Sequence, residues 1–149
     1  MIRFPDWQTR LDAFLRQQKD RTFEWGKWDC CLFVADAITA MTGEDPAQSL
    51  RGKYNSEDGA KSLVGEVQSH VAVGDIVECL AAEYKMPEIP ITRIHRGDMI
   101  LFNHKRGTTL GLVGLDGISV IAVTDKGVAK IPLAMISADA RAWAVGVRA

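Results

Sequence analysis

The residue best placed to act as a nucleophile in this sequence is Cys30. It follows Asp29 and opens a largely apolar run that reaches Thr42 and is followed by Gly43. Aspartate is a preferred helix N-cap and glycine a common C-terminal stop, so the pattern predicts a helix with Cys30 in its first turn. Free N–H groups and the positive end of the helix dipole lower the pKa of a thiol there, which favours the reactive thiolate. Cys30 could therefore attack a carbonyl carbon, although a free cysteine is more often a small buried core residue.

The neighbouring Cys31 is predicted to be a packing residue. With Ala35 and Ile38 it falls on one face of this helix, and the run is apolar on nearly all sides, which indicates a buried central helix. The three cysteines cannot all pair, and adjacent ones make a poor disulfide framework, so free thiols are expected. Zinc held by Cys30, Cys31 and a histidine is an alternative, but the C-x-x-C spacing typical of tetrahedral sites is missing. Neither a metal nor a cofactor is predicted.

A cysteine nucleophile needs a base, and His104 is the candidate among the histidines. It lies in the polar stretch 103–107, which could fold back towards Cys30. The alternative is a solvent-exposed histidine beside two cations, which would depress its pKa. His70 and His95 have no partner motif and are expected to be ordinary surface residues.

Two kinds of periodicity divide the chain. Apolar residues recur at helical spacing after Asp6, the expected N-cap of a first helix. A helical pattern covers 58–67, and 71–84 is helical or mixed, whereas Pro87 and Pro90 argue against a regular element around them. Apolar runs at short spacing predict an antiparallel sheet, and they cover residues 98–102, 110–115, 118–123, 128–133 and 141–147. Helices first and strands later indicate an α+β fold.

Composition and charge narrow the class of protein. A chain of 149 residues fits a single domain, 1–149, with a substantial core. The net charge is −1 and no basic stripe is present, so nucleic acid is excluded as a partner. No apolar stretch approaches the ~20 residues that span a bilayer, so no membrane association is expected. Residues 1–6 lack the apolar region of a signal peptide, which predicts synthesis in a cytoplasm.

Three sequence blocks occur in the order found in a known family of cysteine peptidases. Residues 25–33 read WGKWDCCLF and resemble the W-G-G…D-C-S-G signature of the NlpC/P60 family. Residues 96–102 are similar to its P-G-D-L-V-F-F strand, and 111–117 to its G-I-Y-L-G-x-G strand and turn. The resemblance implies a papain-like domain in which the helix that begins with the cysteine packs on an antiparallel sheet. The whole pattern also resembles a small family of phage and prophage proteins found among tail genes.

The chain departs from the NlpC/P60 pattern where the family has its other catalytic groups. The family's general-base histidine stands just before the G-I-Y strand, whereas residues 109–111 here are Thr-Leu-Gly. Threonine cannot take a proton from a thiol near neutral pH, so Thr109 is expected to face Cys30 without serving as a base. The family's third polar residue orients the histidine, and its counterpart here is only Ser119, which is expected to be out of register. Phe23 stands where many family members have a tyrosine. Together these differences imply a degenerate enzyme.

The resemblance implies a role in a phage tail. The expected function is that of a structural or assembly protein of the tail tip, made in the host cytoplasm and ending in the virion, with other tail-tip proteins as partners. The alternative is an active cysteine peptidase or amidase that cleaves peptide bonds in peptidoglycan, with Cys30 as nucleophile and His104 as base. A cytosolic thiol protein unrelated to phage is a third interpretation.

Overall fold

The computed structural model describes residues 1–24, 27–53, 55, 73–104 and 107–146. Within these ranges the α-helices are α1 (Trp7–Gln17), α2 (Cys30–Thr42) and α3 (Val73–Glu83). The strands are β1 (Glu88–Ile89), β2 (Met99–His104), β3 (Gly107–Val113), β4 (Ser119–Thr124), β5 (Gly127–Pro132) and β6 (Arg141–Trp143). Short 3-10 helices cover Ile91–Arg93 and Leu133–Met135. The predicted helix over 58–67, His70, and Trp25 and Gly26 of the first sequence block lie outside the described residues.

The strands form one antiparallel sheet, which confirms the predicted α+β class. Their order across the sheet is β1-β6-β2-β3-β4-β5, and every pairing is antiparallel. The segment 71–84, predicted as helical or mixed, contains α3. The expectation of no regular element around Pro87 and Pro90 is wrong, because β1 lies between them. It is a two-residue strand at the edge of the sheet, where a proline removes no ladder hydrogen bond.

Helix α2 is the central element, and its ends lie where the capping pattern predicts them. The Asp29 side chain accepts a hydrogen bond from the Leu32 N–H at 2.9 Å, and Gly43 adopts a left-handed conformation with φ of 80°. Helix α2 packs on β3 and β4 on one side and against α1 on the other. This sandwiching explains why its residues are buried almost all round.

Helix α1 begins at the predicted place but is not capped as predicted. Asp6 occupies the N-cap position, yet its carboxylate makes no capping hydrogen bond. It accepts one from the Arg10 side chain at 2.8 Å instead, an exposed pair one turn apart. A surface ion pair of this kind contributes little to stability.

Both faces of the sheet are buried, and the side chains on the two faces belong to separate apolar clusters. Leu101, Leu110 and Leu112 belong to the main core, which includes Cys30 and most of α2. A separate apolar cluster on the opposite face contains Ile100, Phe102, Val120 and Ala122. Side chains alternate between faces along a strand, so membership of a cluster shows which way each residue points.

A buried ion pair between Arg3 and Asp98 links the N-terminal segment to the start of β2, and both side chains also bind the backbone of Val145 near the last described residue. The Arg3 guanidinium donates to Asp98 Oδ1 at 2.9 Å and to the backbone oxygens of Arg96 at 2.8 Å and Val145 at 2.7 Å. Asp98 Oδ1 also accepts from the Val145 N–H at 3.1 Å, and Oδ2 accepts from the His95 N–H at 2.9 Å. Asp98 of the second sequence block is therefore a structural residue in this chain. No helix among the described residues has the length and apolarity needed to cross a membrane.

Candidate functional site

Cys30 stands in the first turn of α2 and is buried, as the capping pattern predicts. Its side chain is 9% exposed, and the helix that it begins is 13 residues long. Cys30 shares the main core with Leu110 of β3, and the Leu110 backbone is one of the groups that lower the pKa of the Cys30 thiol. The prediction that Cys30 points at this strand is therefore confirmed.

The pKa of the Cys30 thiol is lowered, chiefly because the neighbouring Cys31 thiol donates a hydrogen bond to its sulfur. Burial opposes this effect by disfavouring the thiolate, and so does the negative charge of Asp29. The backbone N–H groups of Leu110 and Cys31 act in the other direction by hydrogen-bonding to the thiolate. As the donor to Cys30, Cys31 keeps its own proton, and its pKa is raised well above the ordinary value.

The side chain that β3 presents towards Cys30 is that of Leu110, and the prediction that Thr109 faces the thiol is wrong. Thr109 is directly opposite Phe102 in the β2–β3 ladder, so both side chains point to the same face. Phe102 lies in the cluster on the far side of the sheet, whereas Leu110 shares the main core with Cys30. Thr109 is half-buried on that far side, with its hydroxyl 3.4 Å from the Gly107 backbone oxygen.

His104 also lies on the far side of the sheet. It is two residues beyond Phe102 on β2, and the two rings meet edge to face with centroids 6.3 Å apart. The sheet therefore separates the imidazole from Cys30. His95 is exposed, and its backbone N–H is committed to Asp98. Neither of these histidines can take a proton from the Cys30 thiol.

Ser119 and Phe23, the other two positions where the chain departs from the NlpC/P60 pattern, have structural roles. Ser119 is buried at the start of β4, and its hydroxyl donates to Asp116 Oδ2 at 2.8 Å. It is out of register, as expected, because the β3–β4 ladder runs from Gly111 opposite Ala122 to Val113 opposite Val120 and so places Ser119 beside Gly114, away from Leu110. Phe23 is half-buried against the main core. Neither residue brings a polar group to Cys30.

An apolar cavity adjoins the cysteines, between α2, α3 and the sheet. The space in it that a water molecule can occupy is about 20 Å³, within about 320 Å³ of non-atom space that includes open solvent. The lining residues are Cys31, Val34, Ala35, Ile38, Pro46, Val77, Leu80, Met86, Met99 and Leu110. The predicted face of Cys31, Ala35 and Ile38 is confirmed as a packing face. The cavity itself was not predicted, because its other walls come from distant segments of the chain.

No zinc site is found in the described part of the chain. None of its groups of three or more histidine, cysteine or acidic residues is arranged to hold a metal ion. The three cysteines are free thiols, with Cys30 buried, Cys31 half-buried and Cys79 exposed on α3.

A family model described as "Domain of unknown function (DUF6950)" matches residues 2–145, which is nearly the whole chain. No curated protein matches it.

Proposed function

We propose that this chain, which belongs to the DUF6950 family, is a structural or assembly protein of a phage tail, built on an NlpC/P60-like scaffold whose active site is degenerate. The observation that carries the proposal is that Leu110 lies on the Cys30 side of the sheet, in the same core cluster, whereas Thr109 points to the opposite face with Phe102. A cysteine at the head of a buried helix faces an antiparallel strand, as in a papain-like enzyme, but the strand offers an isobutyl group where a base is needed.

A thiol hydrolase needs a group that takes the proton of the nucleophile and later gives it to the leaving group. Leu110 cannot accept a proton, and Thr109 and His104 point to the opposite face of the sheet. The lowered pKa of Cys30 supplies some thiolate. It does not supply the acid that must protonate a departing amine, so the described residues support reactivity of the thiol without turnover.

The residues that carry the family resemblance have scaffold roles in this chain. Asp29 caps α2, and Asp98 forms an ion pair with the buried Arg3. Gly111 lies where a Cβ atom would come within 2.6 Å of Val120 Cγ1, so any side chain there would disrupt the packing of β3 on β4. These residues have structural roles that require no catalysis, which supports a function in assembly.

The tail assignment depends on the resemblance to phage and prophage proteins, and it names the partners as other tail-tip proteins. Its test is a comparison of particles from a phage or induced prophage that carries the gene, either as wild type or as Cys30→Ser. We expect the protein in purified tails by mass spectrometry in both cases, and unchanged assembly and infectivity. Absence of the protein from purified tails would contradict the assignment.

The alternative, an active peptidoglycan peptidase, is favoured by the lowered pKa of Cys30 alone. It predicts release of new amino termini from purified peptidoglycan by the wild-type protein and none by Cys30→Ser. Loss of release in His70→Ala as well would identify His70 as the base. This histidine is tested because it lies outside the described residues. We expect no release from the wild type, and no defect in Cys30→Ser particles.

A further inference from the structure

Two arginines of the segment between β1 and β2 have no side-chain partner in the described part of the chain. Arg93 and Arg96 are exposed, and neither side chain forms an ion pair or a hydrogen bond with another described residue. Every other described arginine bonds to a carboxylate or amide side chain, and these are Arg3, Arg10, Arg16, Arg21, Arg51 and Arg141. Arg93 and Arg96 are therefore the guanidinium groups that the described fold leaves available to a second molecule.

The two most exposed large apolar side chains of the described residues belong to neighbouring segments. Met135 is 78% exposed and Ile118 is 68% exposed. Ile118 lies in the turn from β3 to β4, and its backbone oxygen accepts from the Leu133 N–H at 2.8 Å. Leu133 begins the short 3-10 helix that ends at Met135, so the two exposed side chains lie near each other.

The two arginines adjoin these apolar side chains. A Cβ atom on Gly117 would lie 3.6 Å from Arg96 Cγ, so the Arg96 side chain runs along the turn that contains Ile118. Ile94, which lies between the two arginines, packs with Leu133 against the apolar cluster on the far side of the sheet. One surface on this side, the far-face patch, is thus formed by Arg93, Arg96, Ile118 and Met135.

The carboxylates that lie closest to the far-face patch along the chain are already engaged. Asp98 is buried in its ion pair with Arg3. Asp116 pairs with Lys130 at 3.2 Å, and Asp139 accepts from a serine hydroxyl. The two arginines therefore give the patch a positive charge that these carboxylates do not neutralise, and an acidic partner would complement it.

The residue types in the far-face patch are those of a protein–protein contact. Arginine and methionine are enriched in interfaces, whereas lysine, glutamate and aspartate are depleted. The guanidinium fork binds a carboxylate through two parallel hydrogen bonds. Recognition of an anionic membrane uses clusters of about four to eight lysines or arginines, more than this patch provides.

We propose that the far-face patch binds an acidic segment of another protein, whose carboxylates pair with Arg93 and Arg96 and whose apolar side chain covers Ile118 and Met135. That this protein is a tail-tip component rests on the proposed function, whereas the chemistry of the surface does not. The patch lies on the opposite side of the sheet from Cys30, so the contact makes no use of the degenerate site.

Charge reversal in the phage or induced prophage that carries the gene tests the arginines. We expect Arg93→Glu/Arg96→Glu to reduce the amount of the protein in purified tails by about tenfold, measured by mass spectrometry. Lys19→Glu/Lys126→Glu makes the same change of charge at exposed positions elsewhere and should leave the amount unchanged. Circular dichroism should show that both variants are folded, because exposed side chains without partners contribute little to stability.

The outcomes separate this proposal from the proposed function. Equal amounts of the wild type and of Arg93→Glu/Arg96→Glu in purified tails would overturn the far-face patch as the contact and leave the proposed function standing. Absence of the wild type from tails would overturn the proposed function and, with it, the tail-tip partner named here.

The apolar part of the patch has its own variant. Met135→Thr removes the most exposed apolar side chain and should reduce incorporation into tails several-fold. Val128→Thr changes an exposed apolar residue of β5 outside the patch, so it is the matched control and should be incorporated normally. Normal incorporation of Met135→Thr would overturn the assignment of Met135 to the contact.

A zero-length cross-link tests whether the partner is acidic. Arg96→Lys keeps the charge and supplies a primary amine. In purified tails a water-soluble carbodiimide activates a neighbouring carboxylate, the amine forms an amide bond with it, and the carbodiimide leaves as a urea. We expect tandem mass spectrometry to identify an amide that joins position 96 to an aspartate or glutamate of a different tail protein.

Three results would overturn the acidic protein partner. Absence of a cross-linked product would mean that no carboxylate contacts position 96. An amide to a second copy of this chain would make the far-face patch a contact between copies. Binding to phosphatidylserine vesicles by the wild type, but not by Arg93→Glu/Arg96→Glu, would assign the patch to a membrane surface.

Discussion

At the scale of the residue, the chemistry of this protein depends on which side chain of β3 meets Cys30. Side chains alternate between the two faces of a strand, so a shift of one residue exchanges every group on one face for those on the other. Thr109 and Leu110 are neighbours in sequence, yet only Leu110 faces the thiol. Matching the chain to a family motif locates the strand but does not determine its face.

This geometry predicts that Leu110→His, rather than Thr109→His, brings an imidazole to Cys30. Opposite charges on the thiolate and imidazolium favour each other, so the pKa of Cys30 should fall further in Leu110→His. Alkylation of Cys30 by iodoacetamide at mildly acidic pH, followed by tandem mass spectrometry, should be several-fold faster than in the wild type. Thr109→His should leave the rate unchanged.

The control for polarity is Leu110→Asn, which has no proton acceptor of suitable pKa and should not accelerate alkylation. Circular dichroism of each variant should establish that it is folded, because a polar group at this buried position is destabilising. A faster reaction in Thr109→His than in Leu110→His would mean that the face of β3 is assigned wrongly.

At the scale of the element, the ends of α2 and the antiparallel sheet were predicted from the sequence, whereas the cap of α1 and the face that β3 turns towards Cys30 were not. The ends of α2 were predicted because Asp29 and Gly43 terminate a helix through contacts within a few residues. The face of β3 could not be predicted, since both faces of that strand are buried and its pattern does not alternate. The strand β1 was missed because two residues between prolines carry no periodicity.

The turn between β3 and β4 provides a prediction on pH dependence. The Asp116 carboxylate accepts from the Ile118 backbone N–H at 3.0 Å, the Ser119 hydroxyl at 2.8 Å and the Ser119 backbone N–H at 2.9 Å. Together with Lys130, these contacts lower its pKa to about 2. A folded-state pKa below the unfolded value means that the ionised form stabilises the fold. This stabilisation is present above about pH 4 and is lost as the pH falls towards about 2.

We therefore expect Asp116→Asn to lower the free energy of unfolding by ~1 kcal/mol near pH 7. The difference from the wild type should narrow as the pH is lowered from about 4 to about 2, and urea unfolding at several pH values measures it. Asp20→Asn, at an exposed position, serves as the control and should show little effect at any pH. A difference that is constant across this range would disprove the role assigned to the charge.

At the scale of the whole molecule, the fold is closed by contacts that no local pattern indicates. Arg3 is 1% exposed and is separated from Val145 by most of the chain, yet its Nε donates to that residue's backbone oxygen at 2.7 Å. The guanidinium also stacks on Trp7, 4.3 Å from the ring centre. Arginine is rarely buried unless it is paired, so the sequence gives no reason to place Arg3 in the interior.

The last prediction compares how much Asp98 and Arg3 each contribute to the stability of the fold. Asp98→Ala leaves the Arg3 charge buried and removes the acceptor of the His95 and Val145 N–H groups, so it should cost about 3–5 kcal/mol of stability. Arg3→Met should cost less, because the Asp98 carboxylate keeps those two backbone donors. The matched control is Arg16→Met, which breaks an exposed pair with Asp12 and should change stability by only ~0.5 kcal/mol. Urea unfolding midpoints measure all three, and an effect of Asp98→Ala as small as that of the control would show that the ion pair does not hold the two ends of the fold together.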